Sequence, residues 1–483
     1  MKKSLFYNIL LTGSNFVFPL LTFPYLSRIV GAEGLGVCNF ILSYCQNFII
    51  IAALGLSVYG VREIASVGSD VRKRSVLFYE ILVVHIFLTV ILLCIYFASL
   101  SFYNRFDSYK LLTIAGGLFI LSQAFSIEWL FFGVSDFKYI TIRSLVIKLL
   151  TIVAVFLFVK KSTDVSLYFL IYVLQFVVTA LTNLNYAKKY VQRIGAIQVN
   201  RLAAHFKPLL VLGMYIVLTK IYTILPTTLL GFLSSTSAVG YFYTADKIVR
   251  IFISFFGAVS AVLIPNLNSL LHRDDKSAFI AIIEKSMNFV IILGIPITLF
   301  VYLFAKPLTM VFAGQDFLPS IICIKIMAPV ILLVAFGQIF CLQILSVFQK
   351  DSLMVLLALI GMILGLVINL IFIPRYHQNA VAVSQLLCES LVTIISLYFV
   401  KKYINISFPL KKFIYNLFFT LPFFAISYVL YTYLINDLLI LICATTCCTL
   451  YFGVYQFLIL KDTNLIKLVK PYRLKFYKLK PEA

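Results

Sequence analysis

The apolar positions of this chain come in unbroken runs, such as Leu353 to Phe372, rather than alternating with polar ones. Alternation over segments of roughly ten residues would mark a transmembrane β-barrel, whereas apolar runs of about 20 residues mark membrane-crossing helices. Windows of that length predict spans near residues 5–29, 38–58, 77–99, 111–133, 145–160 and 166–187. Beyond a basic stretch, 188–207, a second series follows near 208–232, 239–265, 287–305, 321–347, 352–373 and 380–400. Two more lie near 411–433 and 438–460. The expected fold is an all-α polytopic membrane protein with about 14 transmembrane helices.

Composition agrees, since 62% of the 483 residues are apolar and 12% charged, with mean hydropathy +1.04. Soluble domains sit near half apolar and a quarter charged. The net charge of +22 reads first as topology. With the N-terminus in the cytoplasm, the inside loops and tails hold 28 Lys and Arg and the outside loops 7, the bias that the positive-inside rule demands. Both termini are expected in the cytoplasm, and no nucleic-acid partner is called for. The opening Met1-Lys2-Lys3 leads into an apolar run that continues to about Ile29 without a small-residue cleavage site, so it reads as a first membrane helix rather than a signal peptide. The nine cysteines all fall inside apolar runs, where they read as small core or lipid-facing side chains.

No loop exceeds about 20 residues, which leaves no room for a soluble catalytic domain. The chain contains no G-x-x-x-x-G-K-[ST] phosphate loop. Its four histidines, His85, His205, His272 and His377, are scattered and form no metal or catalytic set. Neither cofactor nor metal is expected, and the chain is not read as an enzyme. What remains is the movement of something across or within the bilayer.

Transporters are often built from repeated helix bundles, and one repeat is visible. Residues 24–40, PYLSRIVGAEGLGVCNF, and 226–243, PTTLLGFLSSTSAVGYFY, each leave one helix and enter the next. An offset of 204 aligns Gly36 with Gly240 and Leu35 with Val239. The organisation this predicts is a six-helix lobe over 1–187, a basic linker over 188–207 and a second, pseudo-symmetric six-helix lobe over 208–402. Two additional helices over 403–460 and a basic tail over 461–483 complete it.

Polar stripes on membrane helices face a bundle interior or a water-filled cavity. The first span carries Asn8, Thr12, Asn15, Pro19 and Thr22 on one face, and the second carries Asn39, Ser43 and Gln46. The seventh adds Gly213, Lys220, Thr223 and Thr227, and the eighth Asp246, Lys247, Arg250, Ser254 and Gly257. Interhelical hydrogen bonding that glues the bundle is the alternative use of such faces. The charges weigh against glue alone, because a buried Lys or Arg needs an acid or an anionic ligand. Asp246 and Arg250 are four apart and could pair, which leaves Lys220 and Lys247 asking for a negative partner. Glu128 and Lys148 lie at similar depth and are expected to form a structural pair. Lys325 and Glu389 have no partner assignable from sequence.

The segments FPLLTFPYLSRIVGAEGLGVCNF (18–40), ALGLSVYGVREIA (53–65) and GYFYTADKIVR (240–250) resemble the polysaccharide transporter branch of the multidrug/oligosaccharidyl-lipid/polysaccharide exporter superfamily, the Wzx-type O-antigen flippases. The resemblance implies two six-helix lobes that open alternately to either face of a bacterial inner membrane. It also implies a cationic cavity in the N-terminal half or between the lobes, and an undecaprenyl-diphosphate-linked oligosaccharide as cargo. Glycan polymerase and chain-length machinery would be its partners, besides membrane lipids. Fourteen helices rather than the commoner twelve is a count shared with lipid II flippases of the same superfamily.

A diphosphate carries about two negative charges and cannot cross roughly 30 Å of hydrocarbon unaided. Lys220, Lys247 and Arg250, with Asp246 beside them, are the expected anion site. Arg28 either joins them or snorkels to the interface, and Asn15, Asn39, Ser43, Gln46 and Thr223 are the expected sugar contacts. Two rivals fit less well. A membrane polymerase would want a sizeable outer loop or a carboxylate-rich site, and a cavity for organic cations would be acidic.

Overall fold

In a bilayer every backbone N–H and C=O must be satisfied within the segment, so apolar runs of this length fold as helices. The computed structural model describes residues 2–102, 108–195, 199–404 and 406–456, and among them there is no strand. The chain opens with α1 (residues 2–30) and α2 (residues 32–53), joined at Gly31, where φ 68 and ψ −177 break the helix. Short α3 (Leu56–Ser66) follows, then α4 (Val71–Leu100), α5 (Lys110–Ala124), α6 (Glu128–Gly133), α7 (Phe137–Phe158) and α8 (Val165–Ala187). The second half holds α9 (Val199–Leu233), α10 (Thr236–His272), α11 (Lys276–Leu303), short α12 (Ala305–Phe312) and α13 (Ser320–Gln338). Next come α14 (residues 351–376) and α15 (residues 378–400), broken at His377 with φ 49 and ψ −129. The series ends with α16 (Leu410–Thr420), α17 (Pro422–Tyr433) and α18 (Asp437–Val454).

Among the described residues, twelve helical stretches are long and apolar enough to cross a membrane. The two longest, Leu20–Ser66 and Asp351–Val400, run to 47 and 50 residues. At 1.5 Å per residue the longer would reach about 75 Å, more than twice the hydrocarbon thickness. The breaks at Gly31 and His377 let each turn back, so the sharp reversals that the hydropathy pattern places in loops are single-residue hinges. At His377 the imidazole Nδ1 meets Ser234 Oγ, just past the end of α9, at 2.8 Å. Large apolar side chains such as Leu150, Leu181 and Val262 lie exposed on the outside of the bundle, as lipid-facing positions do.

Starts of helices follow from capping chemistry. Asp70, Ser235 and Asp275 each accept a hydrogen bond from the backbone N–H three residues on, at 3.0, 3.1 and 3.0 Å. Some boundaries differ from expectation: α11 begins at Lys276, ahead of the expected 287, and α9 begins at Val199, so residues 199–207, expected in the linker, are helix. The hydropathy window stops short there because Arg201, His205 and Lys207 lower its mean, yet His205 is buried between the halves. Its Nε2 lies 3.2 Å from Glu80 Oε2 of α4, and its Nδ1 lies 2.6 Å from Tyr59 Oη of α3. The basic tail, 461–483, lies outside the described residues.

Gly36 and Gly240, the pair aligned by the internal repeat, meet face to face where α2 crosses α10. A Cβ on Gly36 would sit 1.8 Å from Thr236 O, and one on Gly240 would sit 2.0 Å from Ala32 O. A second crossing joins α2 to α9, where a Cβ on Gly55 would lie 2.2 Å from Gly213 Cα. Between the two crossings Thr228 Oγ1 of α9 donates to Ser43 Oγ at 3.0 Å and accepts from Asn47 Nδ2 at 2.9 Å. One continuous apolar core runs through this seam, from Val37 of α2 to Ile406.

Because backbone rather than a flexible side chain meets Gly36, replacing it with Val is expected to cost at least about 1–3 kcal/mol of stability. Gly195→Ala, at a position with nothing within 4 Å, should be near neutral. Thermal unfolding of the two purified variants checks this, and equal melting temperatures would contradict it.

Candidate functional site

The site starts from a cap. Asp136 Oδ1 accepts from Tyr139 N at 3.2 Å, and its Oδ2 accepts from the Tyr186 and Tyr190 hydroxyls at 2.8 and 2.6 Å. Burial pushes this carboxyl up, but the bonds from Tyr190 and Tyr186 outweigh it and leave Asp136 below the usual carboxylate range. With its start fixed in this way, α7 lines up Arg143, Ile147, Lys148 and Thr151 on one face. The same face looks into a cavity of about 540 Å³, within the range of ligand pockets.

Four other elements close the cavity. The first is α1, with Phe18, Thr22 and Leu26. Where α5 breaks into α6, Ile127 at φ 39 turns the chain and brings Gln123, Ser126 and Glu128 to the wall. From α8 come Tyr168, Tyr172, Gln175 and Thr179, and from α10 Tyr243 and Lys247. Three cations thus face one carboxylate.

The cations are held differently. Arg143 is buried and pairs with Glu128 at 2.5 Å, while also donating to Asn183 Oδ1 and to Ser144 Oγ at 2.9 Å. Lys148 Nζ donates to Ser14 Oγ at 2.9 Å and lies over the Phe18 ring. Lys247 Nζ donates to Tyr243 Oη at 3.0 Å and sits 4.8 and 5.0 Å from the ring centres of Phe23 and Tyr243. Lys247 has no ion pair among the described residues. The expected Glu128–Lys148 pair is therefore corrected to Glu128–Arg143. Sequence reading leaves Arg143 in a loop, because its charge and that of Lys138 hold the hydropathy window off until residue 145. The cap signal of Asp136 marks the true helix start.

Of the expected site residues whose side chains are described, Lys247 lines the cavity and the others lie elsewhere. Arg250 Nε binds Asp246 Oδ2 at 2.6 Å, the pairing the spacing suggests. Lys220 is exposed on α9 with no ion pair among the described residues, and Thr223 donates to its carbonyl at 2.9 Å. Arg28 donates to Pro24 O at 2.7 Å and to Met310 O and Val311 O of α12 at 3.1 and 2.8 Å. It thereby ties the end of α1 to the second half instead of facing the cavity. Asn39 Nδ2 turns back to Leu35 O at 2.7 Å, and Ser43 belongs to the seam. Gln46 is half-buried on α2 and is not among the residues lining the cavity. The side chain of Asn15 lies outside the described residues. In the second half Glu389, without a partner in the sequence reading, accepts from Tyr222 Oη at 3.0 Å, and Lys325 lies over the Tyr302 ring.

The geometry is that of a polytopic helical membrane protein with a cation-rich cavity enclosed by α1, α5 to α8 and α10. A family model described as "Polysaccharide biosynthesis protein" matches residues 1–271, more than half of the chain and all the elements that line the cavity. The chain belongs to that family. Among characterised relatives, it is 23% identical over 411 residues to a "Putative O-antigen transporter" of Escherichia coli (strain K12), covering 83% of this chain and 97% of the relative. A protein of the same description from Shigella dysenteriae is 22% identical over 274 residues, 56% of this chain and 68% of that one. The fold is shared with the lipid II flippase MurJ in an inward closed conformation, at TM-score 0.77 and 14% identity, over 95% of this chain and 99% of that one. It is shared more loosely with an inward-facing multidrug resistance MATE family transporter, at TM-score 0.61 and 14% identity, over 80% and 93%. These relatives are named as transporters and flippases, none as an enzyme.

The Asp246–Arg250 contact generates a test. Removing Arg250 strands a carboxylate whose Oδ1 is buried without a partner among the described residues, so Arg250→Ala should lower the melting temperature and adding Asp246→Asn should recover it. A coupling of about 1 kcal/mol or more in this double-mutant cycle is expected, and strictly additive effects would deny the pair a scaffold role.

Proposed function

We propose that this chain is a flippase that moves an undecaprenyl-diphosphate-linked oligosaccharide from the cytoplasmic to the outer leaflet by alternating access. The observation that carries the reading is the cavity of about 540 Å³ in which Arg143, Lys148 and Lys247 face a single carboxylate, Glu128. A diphosphate brought from water into such a place exchanges hydration for fixed cations in a medium where charges are weakly screened. The O-antigen transporter description of the relatives and the flippase fold support the same cargo class. An excess of cations argues against an organic-cation antiporter, although that class shares the fold.

In this reading Lys247 is the first anion contact, because aromatic rings and a hydroxyl hold it without neutralising it. Lys220, exposed and without an ion pair, is a second contact used in another state of the cycle, and Arg250 can reach the anion only by leaving Asp246. The broken stretches cross the bilayer twice each, which gives fourteen crossings in an inner membrane, with both termini in the cytoplasm. Glycan polymerase and chain-length machinery would receive the product.

Transfer of a fluorescent prenyl-diphosphate sugar between the leaflets of proteoliposomes tests the function. Lys247→Ala should slow transfer at least about tenfold, the loss of one charge-assisted contact of roughly 1.5–3 kcal/mol. Lys276→Ala, in an exposed pair with Asp274 at 3.5 Å, should not. Wild-type rates in the Lys247 variant at equal protein levels would remove that residue from the cargo path.

Sidedness has its own check. Reporters inserted within residues 188–195 and fused after Ala483 should both read cytoplasmic, and opposite readings would refute fourteen crossings.

A further inference from the structure

Beside the cationic cavity lies a second one, of about 420 Å³. Gln123, Ser126, Glu128 and Phe132 line both, so the two chambers share a wall built from the broken stretch between α5 and α6. Their characters differ. Among the described residues the second chamber has no Lys or Arg in its lining, and residues such as Ile49, Leu56 and Phe137 make it mostly apolar.

Two nitrogen atoms in its wall stand out. His85, 8% exposed, and Trp129, 5% exposed, both line the chamber, and neither His85 Nδ1 nor Trp129 Nε1 has a hydrogen-bond partner among the described residues. Buried polar groups are nearly always paired, so such atoms call for an explanation. Trp129 is the only tryptophan of the chain, and it is held fast. A Cβ on Gly60 would lie 2.8 Å from its ring, and the Phe78 ring centre is 5.6 Å away.

We propose that the second chamber is the sugar pocket, in which His85 and Trp129 hydrogen-bond hydroxyls of the uncharged sugar attached to the diphosphate. This rests on the flippase reading above. Three features select a sugar. The sugar is covalently joined to the phosphate, so it must occupy space contiguous with the cationic chamber. Its hydroxyls both donate and accept, which satisfies a donor-only indole N–H and either tautomer of an imidazole. Its C–H faces suit the apolar remainder of the wall. A prenyl chain would leave both nitrogens unpaired, and a phosphate would meet the like charge of the Glu128 carboxylate and, among the described residues, no Lys or Arg. A pocket that hydrogen-bonds a hydroxyl discriminates strongly against ligands that lack it.

The experiment uses the purified full chain in detergent micelles and compares farnesyl diphosphate with farnesyl diphosphate carrying glucose, galactose or N-acetylglucosamine, with affinities read by calorimetry. At least one glycosylated probe should bind the wild type about tenfold more tightly than the bare one, equal to about 1.4 kcal/mol. Trp129→Phe and His85→Leu should each erase that margin while leaving the affinity for bare farnesyl diphosphate within about twofold. Trp129→Phe keeps a ring between Gly60 and Phe78, and an unchanged melting temperature confirms that its fold is intact. Loss of affinity for both probes alike would assign the chamber to the prenyl chain, and an intact margin in both variants would place the sugar elsewhere; either result overturns the proposal. So does the absence of any margin in the wild type. If the wild type binds not even the bare diphosphate, the flippase reading falls first and this one with it.

Discussion

A cation inside a hydrocarbon layer persists only where something shields it, and this molecule uses three kinds of shield. Arg143 and Arg250 meet carboxylates, Glu128 and Asp246. Arg28 spends its fork on backbone carbonyls of Pro24, Met310 and Val311. Lys247 lies over the rings of Phe23 and Tyr243. An ion pair cancels the charge it stabilises, but a ring face does not. Cation–π attraction is worth about 0.5–2 kcal/mol, enough to keep an ammonium in place while its full charge still acts on whatever enters the cavity. The choice of aromatic rather than acidic neighbours therefore decides that the chamber stays positive.

That chamber is positioned by a seam made of backbone. At Gly36–Gly240 and again at Gly55–Gly213 the helices of the two halves approach too closely for a Cβ. Side-chain ties sit beside each crossing. Arg28 grips α12 near the first, and Tyr59, His205 and Glu80 join α3, α9 and α4 near the second. Any motion that opens one end must break one set of ties while the other can persist, which is what alternating access requires of two packed halves. Both sets are made in this structure.

Much of this was legible in the sequence, and the limits are physical. Hydropathy located most of the long helices within a few residues where the ends are apolar. It missed the starts of α7, α9 and α11, where Arg143, His205, and Glu284 with Lys285 sit inside the helix while weighing against it in any window average. Gly36 and Gly240, aligned by the offset of 204, lie against each other where α2 crosses α10. The i, i+4 spacing foretold the Asp246–Arg250 contact, since helical geometry alone fixes it. Contacts between helices carry no such local signature. Nothing in the spacing of Glu128 distinguishes Arg143 from Lys148 as its partner, and nothing around Arg28 announces the carbonyls of α12.

The sequence also pointed to the polar faces of both related pairs of helices, yet the cavity draws on only part of them. The reason is mutual satisfaction. Ser43 and Asn47 of α2 face Thr228 of α9 across the seam and hydrogen-bond it, so these faces consume each other. The polar groups left over are those with no counterpart across the seam: the α7 face carrying Arg143 and Lys148, the α8 face with Tyr172 and Gln175, and Lys247 on α10. In the second half the buried carboxylate of Glu389 takes the Tyr222 hydroxyl and lies within electrostatic reach of Arg250. The molecule thus carries a cationic chamber at one place and a buried acid at another. In the flippase reading proposed above, an anionic head group is drawn toward the cations of the chamber and away from the carboxylate of Glu389.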